Sequence, residues 1–171
     1  MPTRRTSVKK RSSSSGPPRV LASARGAAQI DPKWPVWYQP GAALGSAVRY
    51  VASLSSRFNW VGIYVLKGKI LELGPYLGAK TDHTRIPVGK GVCGTAVARN
   101  EDMNVPDVSA TDNYLACSIE TKSELVVLIR DRQGKILGQI DIDSHTPNAF
   151  GRAEEEAVRQ IAKELGELWP E

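Results

Sequence analysis

The apolar positions change period several times along the chain, and each change marks an element. Leu44, Val48, Val51 and Leu54 recur every three or four residues, the stripe of an amphipathic helix over residues 41 to about 57. From Asn59 the period becomes two. Val61, Ile63 and Val65 then share one side of a strand, with Trp60, Gly62 and Tyr64 on the other. Lys67, Gly68 and Lys69 form a turn into a second strand that runs from Ile70 to about Gly74, and residues 76–85 read as a connecting loop. Ile86 to Val88 lead into a glycine-punctuated stretch, Gly89 to Gly94, followed by a short helix over 95–99. Met103 to Val105 predict a further short strand and residues 106–114 a loop. Strands over 124–130 and 135–141 flank Asp131, Arg132, Gln133 and Gly134, a turn suited to a hairpin. A last helix starts at Asn148 or Gly151. Its stripe is Ala157, Val158, Ile161, Leu165 and Leu168, and Glu154, Glu155 and Glu156 favour the positive end of its dipole.

Helix, antiparallel strands, a loop-rich middle, a hairpin and a closing helix describe an α+β domain. The two long helices would share one face of the sheet and leave the other for a ligand. With 171 residues, the chain suits one such domain plus a tail, divided here into residues 1–33 and 34–171. The tail is rich in Arg, Lys, Ser and Pro, contains the run Ser12 to Ser15, and has no acidic residue before Asp31. Such a composition buries too little apolar surface to fold. A solvated extension, an organelle transit peptide and a basic arm for nucleic acid or acidic lipid all share it. Pro32, Pro35 and Pro40, with Trp34, Trp37 and Tyr38 among them, make an irregular approach to the first helix.

Charge changes this picture little. The net charge of +5 suggests a nucleic-acid partner, but residues 1–33 alone carry +7, which leaves −2 on the remainder. No nucleic-acid site is therefore expected on the domain. No run approaches the roughly 18 apolar residues of a membrane span, and no apolar block near the start resembles a secretory signal, so a soluble, cytoplasmic protein without membrane contact is expected. Cys93 and Cys117 are too few for a disulfide framework and are expected as reduced thiols. Together with His83 and His145 they would number four zinc ligands, but none of the separations is the short paired spacing of structural zinc sites; no metal and no cofactor are expected.

The chemistry that the pattern offers is concentrated in a few places. Alternation puts Gln139, Asp141 and Asp143 on one side of the last strand, with the two carboxylates about 7 Å apart by strand rise. Enclosed, they would hold a proton or an ammonium group; at a strand end in solvent they would do nothing. An EF-hand is excluded, because the turn glycine is missing and Arg152 stands where a bidentate Glu belongs. Glu124 begins the preceding strand and meets those aspartates only if the hairpin register brings opposite ends together. Trp60 and Tyr64 share a face that suits either an apolar ligand group or a packed core. The stretch from Val88 to Thr95 fails as a phosphate loop, since Lys90 is followed by Gly91 and Thr84 occupies the required earlier glycine position. Cys93 lies in that turn ahead of a helix, a position that lowers a thiol's pKa, while Cys117 lies in polar loop sequence. Taken singly, each thiol reads as inert.

Several blocks together resemble one family. They are Asn59 to Tyr64, Arg85 to Ala96, Val105 to Val108, Ala116 with Cys117, Ser123 to Val127, and Asp141 to Ser144. Their order and spacing are similar to those of the free methionine-(R)-sulfoxide reductases, which are stand-alone GAF domains. The resemblance implies a central antiparallel sheet with N- and C-terminal helices on one face and a ligand pocket under loops on the other. It also implies a role for each candidate. Cys117 would be the thiolate that attacks the sulfoxide sulfur; Glu124, Asp141 and Asp143 would receive the sulfoxide oxygen and the substrate ammonium; Trp60 and Tyr64 would enclose the S-methyl end. The product would be methionine, with Cys117 left as a sulfenic acid that thioredoxin or another thiol reductant recycles.

One position departs from the common form of the family. His83 stands where that form has its first cysteine, the partner of the nucleophile in the disulfide that thioredoxin reduces. Three outcomes stay open: Cys93 resolves the sulfenic acid, an external thiol does so, or turnover has been lost and the pocket serves a non-catalytic small-molecule sensor. GAF domains often pair, so a homodimer is compatible with the resemblance, though nothing in the sequence marks its surface.

Overall fold

The computed structural model describes residues 42–110 and 120–169. The basic tail, the proline-marked approach and the end of the loop at 111–114 lie outside those residues. The described chain runs through α1 (Ala42–Ser53), β1 (Trp60–Lys67), β2 (Ile70–Leu77), β3 (Arg85–Pro87), α2 (Gly91–Arg99) and β4 (Met103–Val105). After a 3-10 turn at Val108–Ala110 come β5 (Ser123–Arg130), β6 (Ile136–Ser144) and α3 (Arg152–Glu167). The strands form one six-stranded sheet in the order β3-β2-β1-β6-β5-β4. Every neighbouring pair is antiparallel.

The period-two patterns of β1, β5 and β6 sort residues onto two faces. Val61, Ile63, Leu125, Val127, Ile129, Ile140 and Ile142 form one, and Ala47, Val48 and Val51 of α1 pack there beside Val158, Ile161, Ala162 and Leu165 of α3. Both long helices thus lie on the same side of the sheet, as the pattern requires. Gly166 lets α3 press against the end of β5, because a Cβ there would collide with the carbonyl of Arg130. The opposite face carries Trp60, Tyr64, Val126 and Leu128, and it is covered by Val92, Cys93 and Ala96 of α2.

Several boundaries differ from the pattern-based expectation, each for a physical reason. Helix α1 stops at Ser53, whose hydroxyl donates to the Tyr50 carbonyl, and Leu54 falls past its end and is exposed rather than part of the stripe. Strand β2 continues through Pro75 to Leu77 instead of ending at Gly74. The register shifts here: Gly62 pairs with Tyr76 and Tyr64 with Leu73, so Gly74 and Pro75 together face Ile63 in a bulge, which asks no ladder bond of the proline. Helix α2 begins at Gly91, not at 95. The glycine block is its first turn rather than a loop, and Gly94 packs where a Cβ would strike the Pro87 carbonyl. Strand β6 starts at Ile136 and runs on to Ser144, which keeps Asp143 within the ladder. At α3 the two alternatives resolve to Gly151, whose N–H donates to the Glu154 carboxylate at 3.1 Å.

Candidate active site

Antiparallel register assembles the site on the face opposite α1 and α3. Asp143 stands between Trp60 on β1 and Glu124 on β5; Asp141 stands between Gly62 and Val126; Gln139 stands between Tyr64 and Leu128. The condition on Glu124 is therefore met, since the hairpin brings the start of β5 against the end of β6. None of the acids runs into solvent. Glu124 is 3% exposed, Asp143 1% and Asp141 0%.

Such burial cannot be tolerated by three ionised carboxylates. Loss of water raises the pKa of Glu124 well above its ordinary value, and the neighbouring charges of Asp141 and Asp143 raise it further. Asp141 is raised as well, again chiefly by burial. Among the described residues neither acid pairs with a Lys, Arg or His. The Cys93 thiol and the Ile142 N–H favour the charged form of Asp141, but they do not offset its loss of water. A bond between Glu124 and Asp141 needs a proton on one of them, and the raised pKa values supply it: the pair shares a proton near neutral pH. The arrangement can deliver that proton or exchange it for a cation.

Cys93 comes from the first turn of α2, not from a loop ahead of it. It is 3% exposed, and its thiol donates to Glu124 Oε1 at 3.8 Å. The aromatic side is equally tied down. The Trp60 indole N–H donates to the Ala79 carbonyl at 3.1 Å and the Tyr64 hydroxyl to the His83 carbonyl at 2.8 Å, so both rings anchor the segment between β2 and β3. Their centroids lie 6.3 Å apart, and Tyr76 of β2 stacks on Trp60 at 5.5 Å. Gly62 and Gly78 make room for the indole, because a Cβ at either would run into it.

Residues 43–167 match the GAF domain family. The chain belongs to that family. Within it, the chain is similar to the free methionine-R-sulfoxide reductase of Escherichia coli K12, at 42% identity over 107 residues, covering 63% of this chain and 64% of that protein. The protein of the same name in Saccharomyces cerevisiae is 43% identical over 114 residues, covering 65% and 63%. The chain thus spans slightly under two thirds of the length of these two curated relatives. A solved structure of the type II free methionine-R-sulfoxide reductase from Thermoplasma acidophilum superimposes with a TM-score of 0.69 at 40% identity, covering 72% of this chain and 87% of that one.

On the GAF scaffold six of the seven residues singled out in the sequence, Trp60, Tyr64, Cys93, Glu124, Asp141 and Asp143, lie on one face of the sheet or on the helix that covers it. The seventh, Cys117, lies outside the described residues. The histidines are not part of this group: His83 contributes its carbonyl to Tyr64, and His145 faces Glu120 at 3.6 Å. Two more residues lie beside this group although the sequence pattern assigns them no role. Gln139 is fully buried with neither end of its amide partnered among the described residues, and Tyr76 completes the aromatic stack. Alternation places Gln139 beside Asp141, and that is its signal. Tyr76 has none, because its position depends on the bulge.

Proposed function

We propose that this GAF domain reduces free methionine-(R)-sulfoxide to methionine. The observation that carries the proposal is the closed group of Glu124, Asp141 and Asp143, buried beside Trp60 on the same face. A small zwitterion with an ammonium and an S-methyl group complements such a site, and larger or peptide-bound sulfoxides do not. The names of the relatives from E. coli and S. cerevisiae support the same reading.

A sulfoxide oxygen leaves poorly unless protonated, and the proton shared by Glu124 and Asp141 is placed to meet it. The Cys117 thiolate attacks the sulfur, the S–O bond breaks, and the oxygen ends on Cys117 as a sulfenic acid. Sulfur in the substrate gains two electrons and Cys117 loses them. A second thiol then displaces water to give a disulfide. Cys93 is that thiol in this proposal, with thioredoxin or another dithiol reducing the pair afterwards. Asp143 and Glu124 hold the ammonium, while Trp60 and Tyr64 bound the methyl end. The reducing compartment this needs is the cytoplasm, the domain begins near residue 34, and the basic tail contributes no site residue.

Loss of substrate is followed for the R epimer, the S epimer and a sulfoxide-containing peptide, with dithiothreitol as reductant. Turnover of the free R epimer alone is expected, with Cys117→Ser inactive and a chain lacking residues 1–33 as active as the full one. Comparable rates on the peptide would overturn the enclosed site. Binding of methionine without turnover would make the domain a sensor instead.

A further inference from the structure

Cys93, Glu124 and Asp141 present one sulfur and two carboxylate oxygens that all lie within 4.8 Å of one another, contributed by α2, β5 and β6. We propose that these three side chains form a site for a borderline divalent cation of the Zn2+ type, and that this cation excludes the amino-acid ligand.

The sulfur-to-carboxylate spacing suits a tetrahedral ion. Zinc bonds of about 2.3 Å to sulfur and about 2.1 Å to oxygen, at a tetrahedral angle, separate the two ligand atoms by about 3.6 Å. Cys93 Sγ and Glu124 Oε1 are 3.8 Å apart. The donor set also selects the ion, since a thiolate favours Zn2+ or Cd2+ over Mg2+ and Ca2+. Two further observations point to a ligand at this place. Among the described residues, fully buried Asp141 has no cationic side chain beside it, and on the same face the Gln139 amide has no hydrogen-bond partner at either end. An orphaned buried amide is costly, and a water or ligand group at the site would recover that cost.

Three protein ligands leave one position for water. Binding releases the thiol proton of Cys93 and the proton shared by Glu124 and Asp141, and no electrons move. The cation and an ammonium group use the same carboxylates, so the two compete. Competition rests on the proposed amino-acid reading; the metal site does not.

The test uses the full chain, reduced and in thiol-free buffer, titrated with Cd2+ while its thiolate-to-metal absorption is recorded. One equivalent is expected to saturate the band. Cys93→Ser should abolish it, Cys117→Ser should keep it, and Glu124→Gln and Asp141→Asn should each weaken binding at least about tenfold, as changes even beyond the first ligands do. Zn2+ should displace Cd2+, and free methionine should raise the apparent Kd. A band that survives Cys93→Ser, or affinity unchanged in both acid variants, would overturn the site. If Cys93→Ser fails to fold by circular dichroism, the acid variants decide. Cd2+ binding that ignores methionine would leave the metal site standing and remove competition. Turnover of the sulfoxide without Cd2+ binding would overturn the metal site and leave the proposed activity standing.

Discussion

The two faces of one sheet have been built by opposite rules. Under α1 and α3 the buried side chains of β1, β5 and β6 are apolar except for Ser123 and Ser144 at the strand ends, and the energy of that face is transfer of hydrocarbon out of water. Under α2 the same sheet buries Gln139, Asp141, Asp143 and Glu124 at equal depth. Burial is stabilising throughout the first face, whereas on the second the apolar contacts of Trp60, Tyr64, Val126 and Leu128 are offset by carboxylates that keep protons they would release in water. The first face holds the fold, and the second stores chemistry at the expense of stability.

That contrast breaks most sharply at Asp141. Asp141→Asn keeps the shape of the protonated acid but cannot share or deliver the proton. Turnover is expected to fall by about 100-fold or more, while the Tm at pH 8 stays level or rises. A large fall in Tm with activity intact would mean that the acids are structural. On the helix face, Ile161→Ala should behave oppositely. It removes a fully buried side chain and should cost about 2–5 kcal/mol in denaturant unfolding, with activity per folded molecule unchanged.

The pH dependence of stability sharpens the comparison further. Asp141 titrates near 3.8 when unfolded and is pushed up to about 7 in the fold. Between those values the folded state holds a proton that the unfolded chain has released. Stability therefore declines as pH rises through that window, by up to about 1.4 kcal/mol per unit for one proton, and the decline ends above about pH 7. Glu124, also raised, acts in the same direction. Thermal unfolding between about pH 5 and pH 8 should show this slope in the wild type and a smaller one in Asp141→Asn. A slope of the same size in both would remove Asp141 as its source.

The smallest effect is expected at Gln139. Gln139→Leu replaces an orphaned amide with a side chain of similar size, so the unfolding free energy should change by no more than about 1 kcal/mol, with a gain the expected sign. An accompanying rise in KM would identify the amide as a ligand contact. Unchanged KM would make it a tolerated buried polar residue without a ligand role.

Much of this molecule is legible in the order of its residues. Alternation alone separates Val61 and Ile63 from Trp60 and Tyr64, and puts Gln139, Asp141 and Asp143 on one side, because a pleated strand allows no other arrangement. The helical stripes assign α1 and α3 to the same face for a similar reason: each needs the apolar side of the sheet. Periodicity is local, and it is preserved wherever the backbone stays regular.

Tertiary structure decides what periodicity does not encode. Whether Asp141 and Asp143 lie in water or in the interior depends on what packs over that face of the sheet, where α2 brings Cys93 to Glu124, and a strand end carries the same acids in either case. Whether Glu124 meets them depends on hairpin register, which sets Glu124 opposite Asp143. The bulge at Gly74 and Pro75, which carries Tyr76 onto Trp60, and the tight seat of Gly94 against Pro87, which lets the helix begin at Gly91, arise from contacts between distant segments. The raised proton affinity at the centre of the site is likewise a property of enclosure: the residue types supply carboxylates, and only their joint removal from water makes them hold a proton at neutral pH.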